Sequence, residues 1–310
     1  MSNPPAFPRL GTGRPVPPTS ARDELLHSVS KEFHDLIGLR DVKNQLDQLM
    51  ALARLSALKR DRGLPTSSQS LHMVFMGPPG TGKTEIARKV GKLLKAVRVL
   101  QSGHLVEVDR AALVGGYQGQ TGQLVASKID QARDGVLFID EAYALAGIRR
   151  GNDLSQPDSY GQEAIDTLLK KMEDMRDRLV VIVAGYPTEM KRFLQTNVGL
   201  ASRFSLHFEF AHYEPDELMQ IFENFATRQQ MALTPDAAQD MRQEIDRLCQ
   251  GRDDTFGNAR EMRRLFERAC QAQAYRLSYK DDGELRDDFE KLTNDELMTL
   301  RLEDVRVAFG

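Results

Sequence analysis

The sequence predicts an α/β domain built on a parallel sheet, followed by a smaller domain made of helices. From residue 71 to about residue 212, short apolar runs alternate with stretches of helical periodicity, which is typical of a parallel sheet covered on both faces. Beyond Tyr213 the strand signals stop and helical periods take over. We therefore place the first domain at residues 23–212 and the second at residues 213–310.

Length and composition narrow the class of protein. A chain of 310 residues can form two ordinary domains, and a net charge of −3 provides no basic field to hold nucleic acid. No apolar run approaches the roughly 18 residues of a membrane span, and the N-terminus lacks the apolar core of a signal peptide. Cys249 and Cys270 have neither metal nor redox spacing. These features favour a cytoplasmic protein.

The N-terminal part is predicted to be a disordered arm followed by a helix. Residues 1–22 contain six prolines and almost no periodic apolar residue, a composition that cannot offset the entropy of ordering the chain. From Val42, the apolar residues Leu46 and Leu49 recur at helical spacing, and Gly63-Leu64-Pro65 ends this helix.

The remaining elements follow from local patterns. The predicted strands are the apolar runs at residues 71–76, 105–108, 136–139 and 179–184. Helical periods lie between them, and a long polar loop occupies residues 146–161. In the second domain helical periods lie at residues 218–225, 238–248 and 262–269, and Thr234-Pro235-Asp236 marks a helix start. The acidic segment 281–296 is interpreted as a solvated surface.

The first chemical motif is the glycine-rich loop Gly77-Pro78-Pro79-Gly80-Thr81-Gly82-Lys83-Thr84, which matches G-x-x-x-x-G-K-[ST]. It lies between a predicted strand and a predicted helix, where its backbone N–H groups and the helix N-terminus can hold a polyphosphate. We expect Lys83 to reach the β- and γ-phosphates and Thr84 to hold Mg²⁺. The nucleotide contacts are assigned to Pro79, Gly80, Thr81, Gly82, Lys83, Thr84 and Glu85.

The second motif is a pair of carboxylates at the end of an apolar strand, Asp140 and Glu141. Asp140 is predicted to order the Mg²⁺ shell, and Glu141 to orient and polarise the attacking water. A solvated turn is the alternative explanation, but the spacing of about 55 residues after the glycine-rich loop favours a hydrolysis site.

Further strings accompany these motifs: Leu71-His72-Met73, Gly103-His104-Leu105-Val106, Phe138-Ile139-Asp140-Glu141-Ala142-Tyr143, Gly161-Gln162-Glu163-Ala164-Ile165, Ala184-Gly185-Tyr186 and Gly257-Asn258-Ala259-Arg260. Over about residues 30–308 the sequence thereby resembles the AAA+ ATPase family of red-type Rubisco activases (CbbX), sporulation stage V protein K and type VII secretion ATPases. The resemblance implies a P-loop AAA+ module with a small α-helical lid, ATP and Mg²⁺ as cofactors, and assembly into a ring, expected to be a hexamer.

The resemblance also implies roles for single residues. Ile37 and Gly38 match the segment that packs on adenine, although locally they could form only a turn. Arg203 matches the arginine finger that reaches a neighbouring subunit's γ-phosphate, and on sequence alone it could be an ordinary surface arginine. Arg260 matches the second sensor, with Arg263 and Arg264 beside it. The first sensor is not assigned, and Tyr186 is a weak candidate.

The segment Tyr117, Gln118 and Gly119 matches the central-pore loop, in which an aromatic side chain grips an extended polypeptide. Without the resemblance, packing of Tyr117 is an equal alternative, and Gln118 stands where an aliphatic residue is usual. In the second pore-loop region, Arg149 and Arg150 are expected to be solvated, with acidic substrate segments as the alternative.

The leading hypothesis is a ring-forming, chaperone-like ATPase that pulls a protein client through its pore. A red-type Rubisco activase, with Rubisco as the client, and an ATP-gated scaffold with little turnover are the alternatives. A nucleic-acid motor has little support, because the chain is acidic and has no arginine-rich recognition helix.

Overall fold

The computed structural model describes residues 21–65, 70–117, 119–150, 159–280 and 282–310. Residues 1–20 of the predicted arm, Gln118 of the predicted pore loop, and residues 151–158 of the long loop lie outside these ranges.

The described elements are numbered in chain order. The helices are α1 (Ala21–His34), α2 (Arg40–Asp61), α3 (Lys83–Ala96), α4 (Arg110–Leu113), α5 (Gln120–Gln131), α6 (Ser159–Asp174), α7 (Pro187–Gln195), α8 (Val198–Arg203), α9 (Pro215–Arg228), α10 (Pro235–Gln250), α11 (Ala259–Ser278), α12 (Asn294–Leu297) and α13 (Leu302–Phe309), with 3₁₀ turns at Ala142–Ala146 and Phe289–Lys291. The strands are β1 (Met73–Met76), β2 (Leu105–Val108), β3 (Gly135–Ile139), β4 (Leu179–Gly185), β5 (Leu206–Glu209), β6 (Ala232–Leu233) and β7 (Thr299–Leu300).

Five strands form one parallel sheet in the order β2-β3-β4-β1-β5. This confirms the predicted fold class, and each of the four predicted strands is present. The fifth, β5, was not predicted from the sequence. It lies at the edge of the sheet with only Phe208 buried, so it lacks the continuous apolar run that identified β1, β3 and β4.

The sheet is covered on both faces because successive side chains of each strand point in opposite directions. On β1, Val74 and Met76 belong to a core cluster with residues of α5, α6 and α7, whereas Met73 and Phe75 belong to a second cluster with residues of α1, α2 and α3. Burial on both faces explains why β1, β3 and β4 read as uninterrupted apolar runs.

Helices α9, α10, α11 and α13 enclose a third core that includes Phe222, Met241, Phe266 and Val305. The guanidinium of Arg276 on α11 donates two hydrogen bonds, of 2.8 and 2.7 Å, to the buried carboxylate of Asp304 on α13. The parallel ribbon of β6 and β7 was not predicted, because two residues per strand are too few to show a period. None of the described helices has the length and hydropathy needed to cross a membrane.

His72, directly before β1, links the start of β1 to β4 by a hydrogen bond. Its Nδ1 accepts a hydrogen bond of 3.0 Å from the backbone N–H of Val181, and the carbonyl of Met172 accepts a hydrogen bond from the ring. Burial, together with the positive charge of Arg203, lowers the pKa of His72 to about 4. The imidazole is therefore neutral near pH 7.

We predict that His72 makes the fold sensitive to acid. In the unfolded chain its pKa returns to about 6.5, so the unfolded state binds a proton where the folded state does not. The free energy of unfolding should therefore fall as the pH drops from 6.5 toward 4, with about 3 kcal/mol lost from this residue.

The matched variant is His72→Gln, which keeps one acceptor and one donor but does not titrate. In urea unfolding, its free energy should fall by about 2 kcal/mol less than that of the wild type between about pH 7 and pH 5. Equal losses in the two proteins would contradict the assignment of this acid sensitivity to His72.

Candidate nucleotide-binding site

The carboxyl ends of three neighbouring strands gather the candidate site. Because β4 lies between β3 and β1, the glycine-rich loop after β1 and the carboxylates after β3 flank Gly185 and Tyr186 after β4. A cavity of about 280 Å³ opens between them. Of the predicted site residues, those that line it are Pro79, Gly80, Gly82, Lys83, Thr84, Glu85, Asp140, Glu141 and Arg260.

The glycine-rich loop is held by its own hydrogen bonds and by close packing. The buried hydroxyl of Thr81 donates to the carbonyl of Pro78 over 2.9 Å. Gly80 and Gly82 both have positive φ, 70° and 91°, which favours glycine. A Cβ on Gly80 would lie 1.9 Å from the carbonyl oxygen of Gly257. The loop therefore needs glycine at this position for its conformation and for the close approach of the helical domain.

Lys83 is the first residue of α3. Its ammonium group lines the cavity and is partly shielded from water. Its ammonium group donates to the carbonyls of Gly77 and Pro78, over 2.8 and 2.7 Å. The pKa of Lys83 is lowered to about 8, mainly by burial; Asp140 acts against this shift, and Arg260 contributes to it. The free N–H groups of the first turn of α3 lie beside this cation, so the cavity combines two sources of attraction for an anion.

The two carboxylates occupy different environments at the end of β3. Asp140 accepts a hydrogen bond of 3.0 Å from the backbone N–H of Glu141. Glu141 has φ of 48°, a left-handed conformation that L-residues rarely adopt, and its side chain is exposed. Strained backbone of this kind persists where the surrounding structure fixes it. Glu141 therefore presents its carboxylate to the cavity while Asp140 stays closer to the sheet.

Tyr143 is a residue of this site that sequence reasoning missed. It is buried, and its ring packs against Gly185 so closely that a Cβ on that glycine would lie 2.7 Å from the ring. Burial raises the pKa of Tyr143 above its ordinary value, and Glu141, whose carboxylate accepts a hydrogen bond from the hydroxyl, raises it further. Tyr143 thus stays protonated and orients Glu141; its only sequence signal was its place in the string after Asp140.

Asn258 ties the glycine-rich loop to the helical domain and was also missed. Its buried side-chain amide donates to the carbonyls of Pro79 and Phe256 over 3.0 and 2.9 Å, and its carbonyl accepts from the N–H of Tyr213 over 3.1 Å. The hydroxyl of Tyr213 donates in turn to the carbonyl of Thr81 over 3.3 Å. Asn258 stood in the string with Arg260, but the string alone does not reveal these long-range partners.

Tyr186 has an unexpected partner at the end of β4. The guanidinium of Arg150 lies 4.0 Å from the centre of the Tyr186 ring, which is the geometry of a cation–π contact. Arg150 is exposed, as expected, and its guanidinium also covers the ring of the weak first-sensor candidate, which lines the cavity.

Ile37, Gly38, Tyr117 and Arg203, which were also predicted, do not line the cavity. Ile37 and Gly38 connect α1 and α2, and Ile37 packs against the core of the helical domain. Tyr117, between α4 and α5, is 79% exposed and precedes Gly119, which begins the α5 turn with φ of 81°. Arg203 ends α8 and precedes β5, so it lies at the amino edge of the sheet, opposite the cavity.

A glycine-rich loop opening a helix, an Asp-Glu pair after β3 and a helical domain tied to that loop define a P-loop nucleotide-binding module with a lid. Residues 73–212 match the ATPase family associated with various cellular activities (AAA), and residues 214–310 match the AAA lid domain. The chain belongs to the AAA ATPase family, which confirms the resemblance stated from the sequence.

Two groups of curated proteins are similar in sequence to this chain. The chain is 43% identical over 272 residues to the ESX-1 secretion system protein EccA1 of Mycobacterium tuberculosis, covering 86% of this chain and 47% of that protein. It is 36% identical to stage V sporulation protein K of Bacillus subtilis, covering 93% of this chain and 84% of that protein. The chain thus spans about half the length of the EccA1 proteins that it matches.

Solved structures show the same fold. The FIGL-1 AAA domain in complex with ADP has a TM-score of 0.59 at 21% identity, over 94% of this chain and 91% of that one. A structure concerning katanin self-assembly has a TM-score of 0.59 at 19% identity, over 93% and 90% of the two chains.

We predict that nucleotide binding takes up a proton at about pH 8.5, because most Lys83 side chains are neutral there and adjacent phosphates favour the charged ammonium. Calorimetric titration with ATP in two buffers of different ionisation enthalpy measures this uptake. Lys83→Arg is the control, since its guanidinium is already charged at this pH. A wild-type protein that binds ATP without proton uptake would contradict the environment described for Lys83.

Proposed function

We propose that the chain is a Mg²⁺-dependent ATPase that assembles into a ring, most simply a hexamer, and remodels a protein client with its pore loops. The observation that carries this proposal is the sheet itself. At the carboxyl ends of the strands, Lys83, Thr84, Asp140 and Glu141 lie around a single cavity. Arg203 lies at the amino ends of the strands.

The residues at the cavity fit ATP together with Mg²⁺. Thr84 and Asp140 offer hydroxyl and carboxylate oxygens, the ligands that Mg²⁺ prefers, and nucleotide oxygens and water would complete its shell. Bound there, the ion would neutralise charge on the phosphates. Lys83 and Arg260 would add fixed positive charge, and Glu141, oriented by Tyr143, would accept the proton of the attacking water.

Arg203 cannot serve the cavity of its own subunit. It lies before β5 at the amino edge of the sheet, and β1 alone, which is four residues long, separates the two edges by roughly 13 Å. A second copy that brings its cavity to this edge would place its γ-phosphate near Arg203. The similarity to a structure that concerns katanin self-assembly supports such an arrangement.

Tyr117 supports a role in gripping a client. Its side chain is 79% exposed at a turn that the N–H of Gln120 closes by donating to the Tyr117 carbonyl over 3.2 Å. An exposed aromatic residue on a short loop offers apolar contact that does not depend on client sequence. Ile37 and Gly38 remain our proposal for the adenine contact.

The client is a protein of unassigned identity, and we place the ATPase in the cytoplasm. Similarity to a secretion-system protein and to a sporulation protein favours a client in an assembly or export process. Red-type Rubisco activation stays an alternative. A weakly hydrolysing, ATP-gated scaffold is the other alternative, and the Arg150–Tyr186 contact at the first-sensor position favours it.

We predict that two inactive variants restore each other's hydrolysis. Glu141→Gln should bind ATP without turnover, and Arg203→Ala should lose turnover by a factor of roughly 10³ or more. In an equal mixture about one site in four pairs an intact Glu141 with a neighbour's Arg203, so about a quarter of the wild-type rate should return. Steady-state phosphate release measures this rate.

The control for mixing is each variant combined with wild type at the same total concentration. A mixture as inactive as its components would refute the arrangement in trans. Assembly of the wild type on ATP with almost no phosphate release would instead favour the scaffold.

We predict that Tyr117→Ala spares basal hydrolysis and loses stimulation by a client, because the side chain is exposed and lies outside the nucleotide cavity. Tyr275→Ala is the matched control, since Tyr275 is 62% exposed on the lid. Clients trapped by the Glu141→Gln protein supply the stimulus. Equal stimulation of both variants would remove Tyr117 from the gripping role.

A further inference from the structure

The amino edge of the sheet gathers a second set of side chains. Strands β4, β1 and β5 are neighbours and begin at Leu179, Met73 and Leu206. Arg176 lies three residues before β4, His72 directly before β1, and Arg203 three residues before β5. Parallel pairing therefore brings Arg176 and Arg203 to one groove of about 380 Å³, on the side of the sheet away from the nucleotide cavity.

Glu173, in the last turn of α6, lies between the two arginines of this groove. Its Oε2 is 3.5 Å from Nη2 of Arg203, and its Oε1 is 3.7 Å from Nη1 of Arg176. One oxyanion thus faces two guanidinium groups that come from different elements of the fold. A terminal phosphate, which carries more charge and more acceptor oxygens, matches the same pair of donors better than a carboxylate does.

The contacts of Glu173 are weak enough to be exchanged. Both ion pairs are long and half-exposed, and pairs of this kind contribute little to stability. The Nε of Arg203 is buried and has no hydrogen-bond partner among the described residues. A buried donor without an acceptor is unfavourable, so a rotation of the Arg203 side chain that brings this Nε to an anion in the groove would supply a contact that Glu173 does not.

His72 adds no charge to this groove, because its burial keeps the imidazole neutral. Its role there is geometric. By joining Val181 on β4 to the carbonyl of Met172, it fixes the end of α6, which carries Glu173, against the start of β1.

We propose that Arg176 is a second arginine supplied in trans, acting with Arg203 on the terminal phosphate of a nucleoside triphosphate bound by a neighbouring copy of this chain. Glu173 is the positioning residue that keeps both guanidiniums at the groove until that phosphate replaces it. The inference rests on the proposed ring ATPase and adds a residue to its shared site.

The test uses the mixture of inactive variants, with Glu141→Gln as the donor of arginines and Arg203→Ala as the acceptor that hydrolyses ATP. Arg176→Ala added to the donor should lower phosphate release by between roughly tenfold and a hundredfold, the range for losing one charge-assisted hydrogen bond. Added to the acceptor, the same change should leave the rate unaltered, because the arginine edge of that subunit is already inactive. Arg176→Lys in the donor should recover part of the rate.

Arg178→Ala is the matched control in the same turn. Arg178 bonds Asp134 through Nε and Nη2 at 2.9 and 2.6 Å, so its loss should act equally in donor and acceptor. Equal effects of Arg176→Ala in both positions, or no effect in the donor, would overturn the inference while leaving the proposed function intact. An inactive starting mixture would overturn the proposed function and this inference with it.

Discussion

Parallel pairing of β4 with both β3 and β1 is the constraint on which the rest of the structure depends. It sets the residues after β1, β3 and β4 at one edge and the residues before β4, β1 and β5 at the other. All seven residues of β4 are buried, so the strand packs against core on both faces of the sheet. The order of the strands therefore determines which loops lie next to one another at the candidate site.

The polarity of the strands divides the chemistry between two edges. Anion-binding backbone, Lys83 and the two carboxylates meet at the carboxyl edge, whereas Arg203 and Arg176 meet at the amino edge. A parallel sheet cannot fold the carboxyl ends of its strands onto their amino ends, so under the proposed function a single subunit would carry two halves of a site that face away from each other. A second copy would bring two such halves together, and in the proposed ring every subunit would supply one half to each neighbour.

Sequence reasoning was most accurate where the signal was local. The glycine-rich loop, Asp140 and Glu141 were found because fixed spacing and a buried strand placed them, and three strands were evident from unbroken apolar runs. Edge strand β5 and helix α1 were missed, because half-exposed elements show weaker patterns. Tyr143 and Asn258 were missed for another reason: their positions depend on contacts that only the fold creates, Gly185 for Tyr143 and Pro79 for Asn258.

The lid and the glycine-rich loop share buried contacts. Asn258 donates to the carbonyl of Pro79, and the N–H of Ala259 donates to the carbonyl of Gly80 over 3.2 Å, while the carbonyl of Gly257 fills the space that a side chain at Gly80 would occupy. If the loop shifts around a nucleotide and the lid stays behind, a buried amide loses its partners, which is costly. A movement of the lid together with the loop keeps these hydrogen bonds and avoids that free-energy cost. The contacts of Asn258 would therefore convert a displacement of the loop by bound phosphates into a change in lid position, and Arg260, two residues further on, would move with the lid.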